Sequence, residues 1–203
     1  MKKTLLAAAL VGLTAASAAG IAKAQYVDLS TGLGSSGNIQ HKGGSLDANW
    51  TVTGATKPLD TPNAYVVAPG DADAGFAHGW IGNGPHSSWI AANPFDEHGN
   101  GLMTFTDTFN VTTPSTAEII GGAWTIDDQG TLSLNGHLLS TLSFRDWTHL
   151  HAFSTTASDF VAGLHTLTMQ ITATDTVSEG ARLRGWLVGA GSAVSGPTFH
   201  GEA

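Results

Sequence analysis

The chain has 203 residues, no cysteine, 26 glycines and 12% charged residues, and eight Lys/Arg against sixteen Asp/Glu give a formal charge of −8. Lack of cysteine excludes a disulfide scaffold, a thiol nucleophile and a thiolate zinc site, and the acidic balance leaves no cationic footprint for nucleic-acid phosphates. A hydrophobic share of 41% is too high for a disordered chain and sufficient for one domain with a sizeable core.

Met1-Lys2-Lys3, an apolar run from Leu5 to Leu13 and the small-residue ending Ala22-Lys23-Ala24 form the pattern of a secretory signal peptide over residues 1–24. The apolar run is shorter than the ~20 residues a membrane-spanning helix needs. Cleavage after Ala24 would remove Lys2, Lys3 and Lys23 and carry the formal charge from −8 to −11. The expectation is a secreted protein, extracellular or periplasmic, with no membrane anchor and no nucleic-acid partner.

From Tyr26 onward the pattern is that of strands. Short runs predict strands at Tyr26–Leu29, Trp50–Thr53, Ala64–Val67 and Trp89–Ala91. Met103, Phe105, Phe109 and Val111 share one side of a longer strand whose other side is threonine-rich; Asp107 interrupts the apolar side, which predicts a strand passing a rim or an edge. Ala117 to Ile126 is apolar on both sides and predicts a strand covered on both faces. Asn135-Gly136 between Leu132-Ser133-Leu134 and Leu138-Leu139 predicts a tight hairpin, because both residues tolerate positive φ. Leu150–Phe153 predicts another strand, and Ser158–Val161 a single helical turn. Leu167, Met169 and Ile171 alternate with polar residues, and Leu183 and Leu187 face opposite to Arg182, Arg184 and Trp186. Many short strands with turn signals between them predict an all-β fold, a single β-sandwich or jelly roll over residues 25–190, followed by a flexible tail at 191–203.

Ile120-Gly-Gly-Ala-Trp-Thr-Ile-Asp-Asp-Gln-Gly-Thr-Leu-Ser-Leu-Asn-Gly136 resembles the centre of galactose-binding-like jelly rolls, as in the sugar-binding domain of family 2 glycoside hydrolases. Phe153 and Phe160-Val-Ala-Gly-Leu-His-Thr-Leu167 are similar to that family's aromatic residue and its following strand, with His165 where asparagine is usual. Thr31-Gly32 through Asp47-Ala-Asn-Trp-Thr-Val52 resembles secreted bacterial proteins of the PEP-CTERM type, although Ser195–Ala203 has no Pro-Glu-Pro and no apolar anchor. The resemblance implies the fold; because such jelly rolls host many activities, it implies little about function. It also implies a possible structural calcium, for which Asp47, Asp71, Asp73, Asp127 and Asp128 are the acidic loop candidates; no other cofactor is expected.

No nucleophile elbow is present. Asp127-Asp128 and Asp96-Glu97 are adjacent pairs, and adjacent strand residues point to opposite faces, so neither is expected to flank one bond. His149-x-His151 would share a strand face and could meet one metal with His137 or Asp146 as a third ligand, but surface histidines are the plainer reading. Trp50 and Trp124 read as core, while Trp186 shares a face with two arginines and stays open between core and surface. Trp80, Trp89 and Trp147 lie in or beside loops rich in Gly, Asn, Ser and His. Sugars present apolar C–H faces, so the expected function is a non-catalytic carbohydrate-binding module. Trp80 and Trp147, and less so Trp89, would stack, with Asn83, Asp146, His149 and His151 as polar partners. The alternatives are a structural or adhesive envelope protein and, last, a small polysaccharide hydrolase or lyase.

Overall fold

The computed structural model describes residues 26–54, 61–68, 79–94, 101–174 and 179–189. The expected signal peptide, the tail and Asp71, Asp73, Asp96 and Glu97 lie outside them. Eleven strands form one antiparallel sheet: β1 (Val27–Asp28), β2 (Leu46–Thr53), β3 (Asn63–Val67), β4 (Trp89–Ala91), β5 (Gly101–Val111), β6 (Glu118–Asp127), β7 (Gln129–Leu134), β8 (His137–Leu142), β9 (His151–Ala152), β10 (Gly163–Ala173) and β11 (Gly180–Val188). Their order is β8-β7-β10-β5-β2-β3-β4-β11-β6-β9, with β1 added to β11. The sheet curls so that its inner side closes on itself, the architecture of a β-sandwich or jelly roll. Among the described residues no helix is long and apolar enough to cross a membrane.

The inner side is filled by alternate residues of the long strands. Met103, Phe105, Phe109 and Val111 of β5 meet Leu167, Met169 and Ile171 of β10, Leu132 and Leu134 of β7, and Leu183 and Leu187 of β11. Trp50 and Trp124 are fully buried here, their indole N–H groups donating to the Leu29 carbonyl and to Ser140 Oγ, both at 3.0 Å. The β7–β8 hairpin turns at Asn135 (φ 52°) and Gly136 (φ 80°), the positive angles its sequence predicts. Asn135 Oδ1 also accepts the Thr166 N–H at 2.9 Å, which ties the turn to β10.

Two expectations need correction. Asp107 sits at neither a rim nor an edge: β5 lies between β10 and β2, and the Asp107 side chain is buried opposite Leu167. Burial, the nearby Asp47 and then Asp28 push its carboxyl up to about 8, so it is neutral in the core at physiological pH. β6 is covered on both faces only from Gly122 onward, since Ile120 and Gly121 are exposed.

What covers the outer face of β6 and β4 is a second, small apolar cluster of Val67, Trp80, Trp89 and Ala91, with Ile81 and Trp147 packed against it. It is roofed by two loops, 79–88 and 143–150, joined where the Ile81 N–H donates to the Trp147 carbonyl at 3.0 Å. The rest of this outer face, around Ile120 and Trp186, stays open.

Candidate functional site

The roof loops hold five of the seven residues that the sequence singled out, and Trp89 and His151 open the strands β4 and β9 that follow them; the structure divides the seven. Trp80 is 7% exposed and Trp89 is 0% exposed; their rings stack on each other with centroids 4.0 Å apart. The Trp80 indole N–H donates to Asp127 Oδ2 at 2.6 Å and that of Trp89 to the Ile81 carbonyl at 2.7 Å. Neither ring offers a face to solvent, so the expectation that they stack on a sugar is corrected: they are the centre of the small cluster. Asn83 is corrected with them. Its Nδ2 donates to the Val67 carbonyl at 2.9 Å and its Oδ1 accepts the Trp89 N–H at 2.7 Å, so its amide holds the loop together.

Trp147, Asp146, His149 and His151 do gather on one surface, in the segment that leaves β8 and returns at β9. The chain turns there through Arg145 in the left-handed region (φ 78°) and a single 3-10 turn at Asp146–Thr148. Asp146 organises it. Its Oδ2 accepts the Ser143 N–H at 2.9 Å, and its carbonyl accepts Thr125 Oγ1 at 2.9 Å and His151 Nε2 at 3.0 Å. Asp146 Oδ1 is also 3.7 Å from His151 Nε2. The imidazoles of His149 and His151 lie 4.1 Å apart, although only His151 is on a strand and His149 caps the 3-10 turn before it, exposed.

On this frame stands an aromatic pair that the sequence reading only half found. Phe144 is 49% exposed and meets the half-buried Trp147 ring edge-to-face, with centroids 5.2 Å apart. The Arg145 guanidinium carbon is 5.4 Å from the Phe144 ring centre. Trp50, Trp80, Trp89 and Trp124 donate their indole N–H groups to protein acceptors, whereas that of Trp147 has no hydrogen bond among the described residues. It points toward Gly79, whose absent Cβ would stand 3.4 Å from Nε1. Phe144 was discoverable in principle: Phe144-Arg-Asp-Trp147 breaks the strand alternation between Leu142 and Leu150 and puts two aromatics beside two charges.

Two other constellations bear on chemistry. Asp127, Asp128 and Glu179 are buried and bring carboxylate oxygens within 4.8 Å of one another. This corrects the expectation that Asp127 and Asp128 diverge, because β6 ends at Asp127 and strand alternation ends with it. All-oxygen carboxylate donors suit a hard cation, although one oxygen of Asp127 accepts from Trp80 and one of Asp128 accepts from the Thr174 N–H and hydroxyl. Asp47, another calcium candidate, does not fit: its oxygens accept the N–H groups of Gly32, Asn49 and Trp50, and burial raises its carboxyl to about 6. Separately, a cleft of about 330 Å³ lies beside the hairpin, lined by Leu134, Asn135, His137, Leu139, Asp159 and Val161, with Ser158 at its wall. His137 therefore sits in the cleft, away from His149 and His151.

No protein-family model matches the chain, and no curated protein matches it. Among solved structures it is similar to one described as a family 35 carbohydrate-binding module from an environmental isolate. The identity is 12%, over 74% of this chain and 95% of that one, with a TM-score of 0.36. A likeness of that degree leaves fold and ligand to the geometry.

Proposed function

We propose that this protein is a secreted, non-catalytic carbohydrate-binding module whose binding surface is the loop Ser143–His151. The observation that carries the reading is the edge-to-face pair of the exposed Phe144 and the half-buried Trp147, set between Arg145, Asp146 and His149. Aromatic faces match the C–H face of a pyranose, and the Trp147 N–H, the Arg145 guanidinium and the His149 ring supply directional polar contacts around it. The loop is fixed through Asp146 to β6 and β9, so little ordering is required when a ligand lands. Asp146 holds backbone and His151, a positioning role that does not fit a general acid paired with a second carboxylate.

Calorimetric titration with neutral oligosaccharides tests this. The wild type should bind at least one neutral glycan, and Phe144→Ala should weaken that binding about tenfold, a loss of ~1.4 kcal/mol, without lowering the melting temperature. No heat with any neutral glycan, or binding indifferent to Phe144→Ala, overturns the assignment.

A second reading, a structural or adhesive protein, draws on a separate observation. β8 is at one end of the sheet and carries neither charge nor proline, and Leu138, Val161 and Leu164 near it are exposed. An edge of that kind favours strand-to-strand association. Association that grows with concentration and is abolished by Leu138→Lys would support it; a monomer at every concentration would remove it.

A further inference from the structure

The open half of the outer sheet face carries a feature at odds with the acidic chain. Arg182 and Arg184 lie on the same side of β11, two of only three arginines in the sequence. Across β6 they face Thr125 and Ala123, so neither has an acid opposite it. Arg182 is 4% exposed, and its guanidinium donates to Ser87 Oγ at 2.9 Å and to the Gly82 carbonyl. Arg184 donates from Nε to the Gly121 carbonyl at 3.3 Å. Among the described residues neither has a carboxylate within ion-pair distance. A buried guanidinium is normally compensated by an acid. Here burial and the like charge of Arg184 pull Arg182 down to about 10, and no acid opposes that shift.

Next along the same side is Trp186, half-buried and fixed in orientation. The residue opposite it on β1 is Asp28, whose side chain is buried. The six-membered ring of Trp186 lies so close over Gly121 that a Cβ there would come within 2.8 Å of Cζ3. His86 stands at 79° to the ring with centroids 5.5 Å apart, and Ile120, opposite Trp186 on β6, is 43% exposed. The face therefore presents a held aromatic ring, a half-buried cation without a counterion, a second cation beneath the surface and an imidazole at the margin.

We propose that this face binds an anionic sugar, its ring stacked on Trp186 and its carboxylate or sulfate group met by Arg184. Arg182 contributes its charge from below and positions the loop that carries His86. Because charges more than ~8 Å apart are largely screened at physiological ionic strength, the acidity of the whole chain does not forbid a local preference for an anion. This site is separate from the loop Ser143–His151 and does not rest on the reading given to that loop.

The test is calorimetry on the full chain with three matched probes: an oligogalacturonate, the neutral oligogalactose and a sulfated oligogalactose. At least one anionic probe should bind about tenfold or more tightly than the neutral one, more weakly at high salt, with the uronate and sulfate arms distinguishing the anion. Arg184→Gln should cost about tenfold of that affinity, Arg184→Lys less, and Phe144→Ala nothing. Equal affinity for neutral and anionic probes, or anionic binding indifferent to Arg184→Gln, overturns the proposal. Should Arg184→Gln fail to fold, the indole N–H resonance of Trp186 in the wild type decides: a shift on adding the anionic probe supports the site, and a stationary signal overturns it.

Discussion

Asp107 and Asp127 are two carboxylates in buried places, and each has a measurable consequence. Asp107 points into the core between Phe105 and Phe109, its carboxyl raised to about 8 by burial and by the negative charges of Asp47 and Asp28. A carboxyl whose pKa is higher in the folded than in the unfolded chain favours folding while protonated. Its contribution is complete below the unfolded value near 4 and is lost as pH rises toward 8. Asp47, raised to about 6, adds to the lower part of that window. The melting temperature should therefore fall from pH 5 to pH 9, and Asp107→Asn should flatten the decline above pH 6.5; a wild type equally stable at pH 6.5 and 9 contradicts this. Asp127 accepts the Trp80 N–H at 2.6 Å. Trp80→Phe keeps the stack on Trp89 but deletes a donor to a buried carboxylate, at a cost of about 1.5–3 kcal/mol in urea denaturation. No change in midpoint would show that this hydrogen bond does not contribute. At the same scale, His165 Nε2 accepts the Val161 N–H at 3.2 Å and its ring stacks with Phe109, so the imidazole serves as a buried backbone tie.

Elements were legible where a local rule governs them and obscure where partners are distant. The Asn135-Gly136 hairpin and the alternation of β10 and β11 are dictated within a few residues, and the sequence carries them; the helical turn expected at Ser158–Val161 is a 3-10 turn at Ala157–Asp159, overlapping it at two residues. That Trp80 and Trp89 are buried is not local. It follows from the loop 79–88 folding over β4 and β6 and being met by Trp147 from 60 residues further on. A Gly-rich loop sequence has no period from which such a roof can be inferred. Likewise Glu179 reaches Asp127 and Asp128 only because β11 pairs beside β6. β7 offers a test at this scale. Gly130 lies opposite Ile171 on β10, and a Cβ there would run into the Gln170 carbonyl, backbone that cannot swing aside. Gly130→Ala should therefore destabilise by several kcal/mol, on the scale of overpacking, whereas Gly136→Ala, with open space around it, should cost only about 1 kcal/mol for its positive φ. Similar losses for the two in thermal denaturation would contradict the register given for β7 and β10.

At the scale of the whole molecule, one curled sheet supports two chemically different surfaces. The roof loops present Phe144 and Trp147 over a small satellite core, and the open sheet face presents Trp186 with Arg184. Because each is held by its own contacts, through Asp146 in one case and through Gly121 and His86 in the other, their ligand affinities should be independent. The double variant Phe144→Ala/Arg184→Gln should lose both, each by the same factor as in the single variants. Whether the loop Ser143–His151 receives a sugar can be read from the six indole N–H resonances during titration with a neutral oligosaccharide. Four of those groups donate to protein acceptors, and that of Trp147 is left to answer to a ligand. The signal lost in Trp147→Phe should move with saturating sugar while those of Trp50, Trp80, Trp89 and Trp124 stay in place; a Trp147 signal unmoved by every neutral glycan would mean that the loop takes no sugar.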